Sequence, residues 1–271
     1  MLDWNHRQWS ASQVSGSYGR DSRLFAPETV VLEWLGVGFQ NRRILDIGVG
    51  GGRTTPHLLK ISPHYVGIDY SEPMVRECLR QFPDVDFRVA DARDLQEFAA
   101  EPFDFVLFSY NGIDNLNHED RMKCLAEIRG VVAQDGAFVF SSHNRNRDRI
   151  PKPWSLEHFD FQRNPTLNPL KLARRSLNYA AGQLNNLRLS RQERYTEEYA
   201  IINDSGDQYR FLSYHISAEK QIAQLARVGF EVEMIIDTQG RVLDLAMARD
   251  ITESWMIYYV CRPLKRSLRL S

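Results

Sequence analysis

The stretch ILDIGVGGGRTT, from Ile44 to Thr55, decides the fold of this chain. An apolar run typical of a buried strand ends in glycines, which accept positive φ and let a ligand approach the backbone closely. In an open α/β sheet such a loop lies beyond the carboxyl end of a strand, where ligands bind. The loop alone leaves open whether that ligand carries a pyrophosphate.

Four further apolar runs follow this strand at regular intervals, and each is bounded by turn or helix signals. Between them the spacing leaves room for helices such as SEPMVRECLRQF. Near-continuous apolar strands that alternate with helices predict a parallel sheet covered on both faces. The runs are HYVGIDYS, VDFRVADA, FDFVLFSYN and GAFVFSSHN.

The pattern changes after Asn144, and no convincing parallel strand appears between residues 145 and 210. NPLKLARRSLNYAAGQLNNLRL instead predicts an amphipathic helix. SAEKQIAQLARVGF predicts a later helix capped by Ser217, and EVEMIID and SWMIYYVCRP predict two closing strands. The helical stripe of NPLKLARRSLNYAAGQLNNLRL consists of Leu170, Ala173, Leu177, Ala180, Leu184 and Leu187.

We therefore predict one domain over residues 1–271 with three parts. Residues 1–40 form an N-terminal arm followed by a helix, and the segment APETVVLEWLGVG predicts that helix. Residues 41–142 and 211–263 form the core sheet. Residues 143–210 form an inserted, mainly helical lid.

Composition excludes several classes of protein. The net charge of −1 gives no overall field that attracts nucleic acid. The start of the chain lacks a signal-peptide pattern, and no apolar run approaches the length of a membrane span, so we expect a cytoplasmic protein. The three cysteines are far apart, which predicts reduced thiols and no metal site.

Acidic residues after the glycine loop narrow the choice of ligand. A dinucleotide loop would place its third glycine at position 53, where this chain has Arg53. Asp69 ends the second strand, where a carboxylate accepts hydrogen bonds from ribose hydroxyls, a role common to nicotinamide and S-adenosyl cofactors. Asp91 follows the third strand, where it can hold an adenine amine while Ala92 leaves room. Asp46 can orient loop amides and attract a cationic ligand.

These motifs together resemble those of the class I S-adenosylmethionine-dependent methyltransferases. The resemblance covers about residues 41–144, and the closing helix and strands fit the end of that family. It implies a Rossmann-like three-layer α/β sandwich with a seven-stranded, mostly parallel sheet whose last strand is antiparallel. The motifs are LDIGVGGG, VGIDYSEPMV, VADARDL, FDFVLFSYNGID and LAEIRGVVAQDGAFVFSSHN.

The resemblance also implies roles for individual residues around S-adenosylmethionine. The glycines of the loop would face the methionine part of the cofactor, Asp69 the ribose, and Asp91 the adenine amine. Tyr70 and Met74 would flank the adenine. The remaining implied contacts are Gly48, Gly50 and Gly52 in the loop, Ser109 and Tyr110 near the sulfonium, and Tyr18 in the N-terminal arm that closes over the cofactor.

Methyl transfer from a sulfonium needs alignment of the reacting atoms and exclusion of water, and it needs a base if the acceptor loses a proton. Candidate bases lie after the fourth and fifth strands. They are His143, Tyr110 and His118, with Asp114 nearby. For His143 the alternative is anchoring of the lid, and for His118 it is a place in the first turn of a helix.

The acceptor itself is not readable from the sequence. Eleven basic residues oppose four acidic ones between Arg145 and Arg194, so the lid suits a small anionic acceptor, RNA or a membrane surface. SYNG stands where base-amine methyltransferases carry a Pro-Pro-Tyr motif, which disfavours nucleic acid. We predict transfer to an oxygen or nitrogen of a small molecule. The alternatives are an RNA or protein methyltransferase, a nicotinamide-dependent oxidoreductase, and a non-catalytic S-adenosylmethionine-binding module.

Overall fold

A computed structural model describes residue 5 and residues 23–147, 169–203 and 209–265. Tyr18 and the predicted closing arm lie outside the described residues, as does the part of the predicted lid between residues 148 and 168.

The first five strands form the parallel sheet that the sequence predicts. They are β1 (Ile44–Ile47), β2 (Tyr65–Asp69), β3 (Asp86–Val89), β4 (Phe103–Phe108) and β5 (Val132–Asn144). Their spatial order is β3-β2-β1-β4-β5, and every neighbouring pair is parallel. The order reverses between β1 and β4, which creates the crevice where ligands bind in open α/β sheets.

Three short strands extend the sheet from the end of β5. They are β6 (Arg194–Tyr195), β7 (Tyr199–Ile202) and β8 (Ser213–Ile216). β8 lies parallel to the last two residues of β5, and β7 joins β8 and β6 antiparallel. None of these three strands was predicted, and β6 and β7 show that the predicted lid contributes strands to the sheet as well as a helix.

The other edge of β5 is completed by the closing strands. They are β9 (Phe230–Ile236), β10 (Val242–Leu243) and β11 (Met256–Pro263). β11 inserts between β5 and β9 and runs antiparallel to both. The predicted antiparallel last strand is therefore confirmed, and the sheet contains strands beyond the seven of the prediction.

Helices cover both faces of the sheet and bury two apolar clusters, as expected for a three-layer sandwich. On one face lie α1, α2 and α3, which contribute Leu35, Leu58 and Cys78 to the core; on the other lie α4 and α6, which contribute Leu125 and Leu225. The helices are α1 (Ala26–Gly38), α2 (Thr55–Leu58), α3 (Glu72–Gln81), α4 (His118–Val131), α5 (Pro169–Leu189) and α6 (Ala218–Arg227). The hydroxyl of Ser217 caps α6, as predicted.

The C-terminal part of the apolar stripe of α5 is exposed. Leu177, Leu184 and Leu187 are 71%, 68% and 56% exposed, whereas Gln183 and Leu189 are buried. The predicted helix is present, and Gln183 and Asn186, which do not belong to the apolar stripe, are buried.

Within the described residues, no helix combines the length and the apolar character that crossing a membrane requires.

Candidate functional site

A cavity opens at the crevice between β1 and β4, directly above the glycine loop. It encloses about 930 Å³ of space between the surrounding atoms, including open solvent at its mouth. Residues from the ends of β1, β2 and β4 line it, so the strand order positions them together. The lining consists of Ile47, Gly48, Val49, Gly50, Gly51, Arg53, Thr54, Asp69, Tyr70, Ser71, Met74, Ala90, Ala92, Phe108, Ser109, Tyr110, Gly112 and Asn115.

Two of the three predicted loop glycines face this cavity. Gly48 and Gly50 have φ values of 65° and 55°, and both line it. Gly52, with φ of 82°, does not, and a Cβ there would lie 3.0 Å from the ring of Phe82, just beyond α3. Gly52 therefore serves the turn and its packing. Gly51 lines the cavity at the place that was predicted for Gly52.

Asp69 holds the loop in position from the end of β2. Its Oδ2 accepts a hydrogen bond from the Gly50 amide at 2.9 Å, and its Oδ1 accepts one from the Ser71 amide at 2.8 Å. Burial raises the pKa of this carboxyl, and the two amides oppose that rise. A carboxylate offers about four acceptor positions, so two remain for the hydroxyls of a ribose.

The predicted adenine contacts lie in the same wall. Tyr70 follows Asp69, and Met74 on α3 is almost fully buried behind it. Ala92 lines the cavity after β3, and Ser109 lines it after β4. Burial raises the pKa of Tyr70, so its hydroxyl stays neutral at the cavity wall.

Asp46 does not face the cavity, contrary to the prediction. It is fully buried in β1, and its Oδ2 accepts hydrogen bonds from Thr54 Oγ1 at 2.6 Å and from the Tyr65 hydroxyl at 3.0 Å. Burial raises its pKa to about 6, while the hydrogen bonds from Thr54 and Tyr65 and the charge of Arg53 lower it. Asp46 thus supports the residues behind the loop rather than a ligand.

Asp91 is the second predicted contact that the structure places elsewhere. Its carboxylate accepts hydrogen bonds from the backbone and guanidinium of Arg93, at 2.6 to 3.1 Å, and does not line the cavity. Arg93 also pairs with Asp120 on α4. In this arrangement Asp91 is committed to Arg93, while its neighbours Ala90 and Ala92 form the wall.

Tyr110 lines the mouth of the cavity and belongs to an aromatic and ionic cluster. Its ring stacks on Phe25 at 5.0 Å, and the Arg53 guanidinium lies within 5.7 Å of both rings. Both terminal guanidinium nitrogens of Arg53 donate to the buried carboxylate of Glu28, at 2.5 and 2.6 Å. Glu28 also accepts from the Tyr258 hydroxyl at 2.8 Å. The cluster links α1, the glycine loop and the end of β4.

His143 lies at the end of β5, one strand away from Tyr110, and does not itself line the cavity. Its Nδ1 is 2.7 Å from Asp114 Oδ2, and its side chain is 15% exposed. Asp114 sits in the short helical turn Gly112–Asn115, whose first and last residues are part of the cavity wall. Asp114 therefore connects His143 to the turn that forms part of the cavity wall.

His118 lies in a different environment. Its ring stacks on Tyr199 at 4.5 Å, and its Nδ1 is 2.9 Å from the Tyr214 hydroxyl. It starts α4 and does not line the cavity. Burial lowers its pKa. The structure thus brings His118 together with β7 and β8, and not with the predicted cofactor residues.

Sequence reasoning missed several residues of the wall. The cavity is lined by four residues that were not predicted, namely Thr54, Phe108, Gly112 and Asn115. Arg53 also lines it, although in the sequence it indicated only that the third glycine of a dinucleotide loop is absent. The position of Arg53 directly after the glycine loop could have indicated that it lies at the cavity. Its partner Glu28, however, is 25 residues away in the chain. Such a pairing is set by the packing of α1, which periodicity does not specify.

Comparison with known proteins agrees with this geometry. Residues 44–136 match the family model described as a methyltransferase domain. The ubiquinone biosynthesis O-methyltransferase of Ruegeria sp. (strain TM1040) is 29% identical over 59% of this chain and 58% of its own length. A demethylmenaquinone methyltransferase of Renibacterium salmoninarum is 34% identical over 36% of this chain and 40% of its own length. The chain thus spans about half the length of these curated relatives.

Solved structures share the fold at low sequence identity. The CcbJ methyltransferase from Streptomyces caelestis superposes with a TM-score of 0.56 at 14% identity, over 89% of this chain and 90% of that one. The glycopeptide N-methyltransferase MtfA, in complex with S-adenosylhomocysteine, gives 0.56 at 13% identity, over 90% and 92%. Together with the family match over residues 44–136, these likenesses confirm the predicted resemblance to class I S-adenosylmethionine-dependent methyltransferases and the fold that it implies.

Proposed function

We propose that this protein is an S-adenosylmethionine-dependent methyltransferase that acts on an oxygen or nitrogen atom of a small molecule. The observation that carries the proposal is the pairing of Asp69 with the glycine loop at the wall of the cavity. The carboxylate binds the Gly50 amide, lies within the lining, and keeps acceptor positions for ribose hydroxyls.

The same pairing disfavours a nicotinamide cofactor. Pyrophosphate binding in a Rossmann loop depends on free backbone amides at the glycines. Here the Gly50 amide already donates to Asp69 and is not free for a phosphate. Arg53 brings a positive charge to the wall, but both of its terminal nitrogens pair with Glu28.

The residues in the cavity wall suit a sulfonium cofactor. When bound, S-adenosylmethionine supplies an already activated methyl group. Gly48 and Gly50 would let its methionine part lie against bare backbone, and Tyr70, Met74 and Ala92 would enclose the adenine. Ser109 and Tyr110 would then lie beside the sulfur. The chain's task is to align the acceptor with the methyl group and to exclude water.

For the acceptor we favour an oxygen atom on a small molecule. The names of several relatives state O-methylation in ubiquinone biosynthesis, although a structural neighbour is named as an N-methyltransferase. A hydroxyl must lose a proton during transfer, and the His143–Asp114 pair at the end of β5 has the geometry of a general base. RNA or protein acceptors remain the alternative, favoured only by the basic residues of the predicted lid.

Among the three candidate bases, His143 has the strongest support. Tyr110 lines the cavity, but its ring is engaged with Phe25 and Arg53. His118, like His143, does not line the cavity, and its ring is held by Tyr199 and Tyr214. His143 has a carboxylate partner on Nδ1 and partial exposure, so its Nε2 would take the acceptor proton.

Isothermal titration calorimetry tests the cofactor first. The purified protein should bind S-adenosylmethionine and S-adenosylhomocysteine, and binding of NAD with neither of these would refute the proposal. Formation of S-adenosylhomocysteine should then be followed with a panel of catechols, phenols and primary amines. An oxygen acceptor predicts turnover with the hydroxyl compounds.

Replacement of the base should separate chemistry from cofactor binding. His143→Ala should lower turnover by about 10²-fold or more while cofactor affinity is kept. His64→Ala is the matched control, because His64 is exposed and precedes β2, whose other end reaches the site. Full turnover in His143→Ala would remove His143 from the mechanism.

A further inference from the structure

The carboxylate of Asp114 accepts four hydrogen bonds, although its side chain is only 1% exposed. Oδ1 accepts from Arg121 Nη1 at 2.5 Å and from Ser142 Oγ at 2.8 Å. Oδ2 accepts from the backbone amide of His143 at 2.6 Å and faces its Nδ1 at 2.7 Å. A carboxylate has about four acceptor positions, so every one of them is occupied.

This arrangement determines the tautomer of His143. An ionised carboxylate can only accept, so the short contact to Oδ2 requires that Nδ1 of His143 carries the hydrogen. In the neutral ring the other nitrogen, Nε2, is then left as the acceptor. A base that takes a proton from a hydroxyl needs that lone pair at Nε2.

Arg121 supplies the charge that balances Asp114. The guanidinium is fully buried, and its second nitrogen, Nη2, donates to Ser142 Oγ at 3.0 Å and to Gln221 Oε1 at 2.6 Å. Its central carbon lies 4.5 Å from the centre of the Tyr214 ring, a cation–π distance. Because Arg121 is the positive partner, a protonated imidazole is not needed to balance the buried carboxylate.

Aromatic rings hold the plane of the imidazole. His215 stacks on His143 with ring centres 4.7 Å apart, and Trp255 lies tilted at 5.9 Å. Burial, followed by the nearby His143 and two arginines, lowers the pKa of His215 well below its usual value, so this second ring is neutral. His143 therefore stacks on an uncharged surface while Asp114 holds its edge.

We propose that Asp114 and Arg121 are positioning residues that fix His143 as the Nδ1–H tautomer, with Ser142 as their shared hydrogen-bond partner. The inference rests on the proposed function only in taking His143 as the base. The hydrogen-bond network around Asp114 joins Arg121 of α4, Ser142 of β5 and Gln221 of α6. Arg121 and Gln221 are 100 residues apart in the chain. A distant part of the sequence thereby sets which nitrogen of the base is free.

Nuclear magnetic resonance reads the tautomer directly, without turnover. Long-range proton–nitrogen correlation spectra of the protein labelled in histidine, with His143→Gln to assign the signal, should show Nδ1–H for His143 at neutral pH. In Asp114→Asn the amide oxygen stays with Arg121, and the NH₂ takes the place of Oδ2 beside the imidazole, where the hydrogen bond from the His143 backbone amide is lost as well. The Nε2–H form should then appear, and turnover should fall by about 10²-fold or more.

Two less disruptive variants keep the inference testable if Asp114→Asn does not fold. Ser142→Ala removes one hydrogen bond from Asp114 and keeps both charges, so a partial loss of the Nδ1–H signal is expected. Arg121→Lys keeps the charge but cannot reproduce the two-nitrogen fork, so its tautomer should shift further than in Ser142→Ala. A merely structural role would lower the melting temperature of these variants and leave the tautomer unchanged.

Asp237→Asn is the matched control. Asp237 is as buried as Asp114 and is also paired with an arginine, Arg241, but it lies beyond β9. This variant should keep the tautomer of His143 and the turnover. An Nε2–H imidazole in the unmodified protein, or an unchanged tautomer in folded Asp114→Asn, would overturn the inference. Calorimetry with S-adenosylmethionine separates this failure from failure of the proposed function, which would abolish cofactor binding itself.

Discussion

Replacing Asp46 by asparagine should change how the stability of the protein depends on pH. Burial raises the pKa of Asp46 to about 6 from 3.8, so the folded state binds this proton more tightly than the unfolded state does. The stabilisation from this proton is complete below pH 3.8 and disappears as the pH rises through about 6. At 1.36 kcal/mol per pKa unit, the loss across this window is about 3 kcal/mol.

Urea unfolding measured between about pH 4 and 7.5 tests this reasoning, with linear extrapolation to water. The asparagine side chain cannot ionise but still offers an oxygen to Thr54 or Tyr65. Part of the wild-type loss has already occurred at pH 4, so Asp46→Asn should gain about 2 kcal/mol relative to the wild-type protein from the bottom to the top of the range. Asp86→Asn, at an exposed aspartate of β3, should follow the wild-type curve. A difference between wild type and Asp46→Asn that stays constant with pH would refute the argument that burial dominates at this site.

Three further predictions concern the cavity and its supports. Asp69→Ala should weaken binding of S-adenosylmethionine by about 1–3 kcal/mol, measured by calorimetry, because the ribose hydroxyls lose their acceptor; equal affinity would show that the ribose lies elsewhere. Glu28→Ala should cost about 3–5 kcal/mol of unfolding free energy, since the Arg53 guanidinium stays buried without its carboxylate; a loss under about 1 kcal/mol would mean that Arg53 reaches water. Gly112→Ala should cost about 1–3 kcal/mol in a melting experiment, because its Cβ would lie 2.2 Å from the ring of Phe108; an unchanged melting temperature would show that this ring moves freely.

The centre of the parallel core was predictable because its strands are buried on both faces. β1, β2 and β4 are nearly continuous apolar runs, and burial on both sides leaves little room for another interpretation, whereas β3 buries only Phe87. The antiparallel place of β11, by contrast, rests on the family resemblance. Its residues Met256–Pro263 are as apolar as a parallel strand would be.

The apolar stripe of α5 shows what periodicity does not specify. Its spacing predicts an amphipathic helix, which is present, but Leu184 and Leu187 are exposed and Gln183 is buried. Periodicity reports that one side of a helix is apolar, but it does not state what that side contacts. β6 and β7 escaped prediction for a related reason, since strands of two and four residues are too short to show alternation.

At the site, backbone requirements were predictable and side-chain partners were not. Gly48 and Gly50 have the positive φ that their pattern indicated, and Asp69 lies beside them. Asp91, in an equally typical position, is held by Arg93 only two residues away. A motif specifies where a carboxylate stands on the sheet, whereas the choice between ligand and neighbouring arginine depends on local geometry.

The strongest dependence of the site on the rest of the fold is at Tyr110 and Asn111. Both residues have left-handed backbone, with φ of 52° and 56°, which costs roughly 1–3 kcal/mol for each non-glycine residue. Two strands hold them there: Ser141 Oγ of β5 accepts from the Asn111 amide at 2.7 Å, and the Tyr258 hydroxyl of β11 lies 3.4 Å from the Tyr110 amide. The same two strands pair with each other and end beside His143, so the wall of the cavity and its proposed base are held by one piece of the sheet. A change in the pairing of β5 with β11 would therefore disturb the acceptor side of the site before it reached the glycine loop, which depends on β1 and β2.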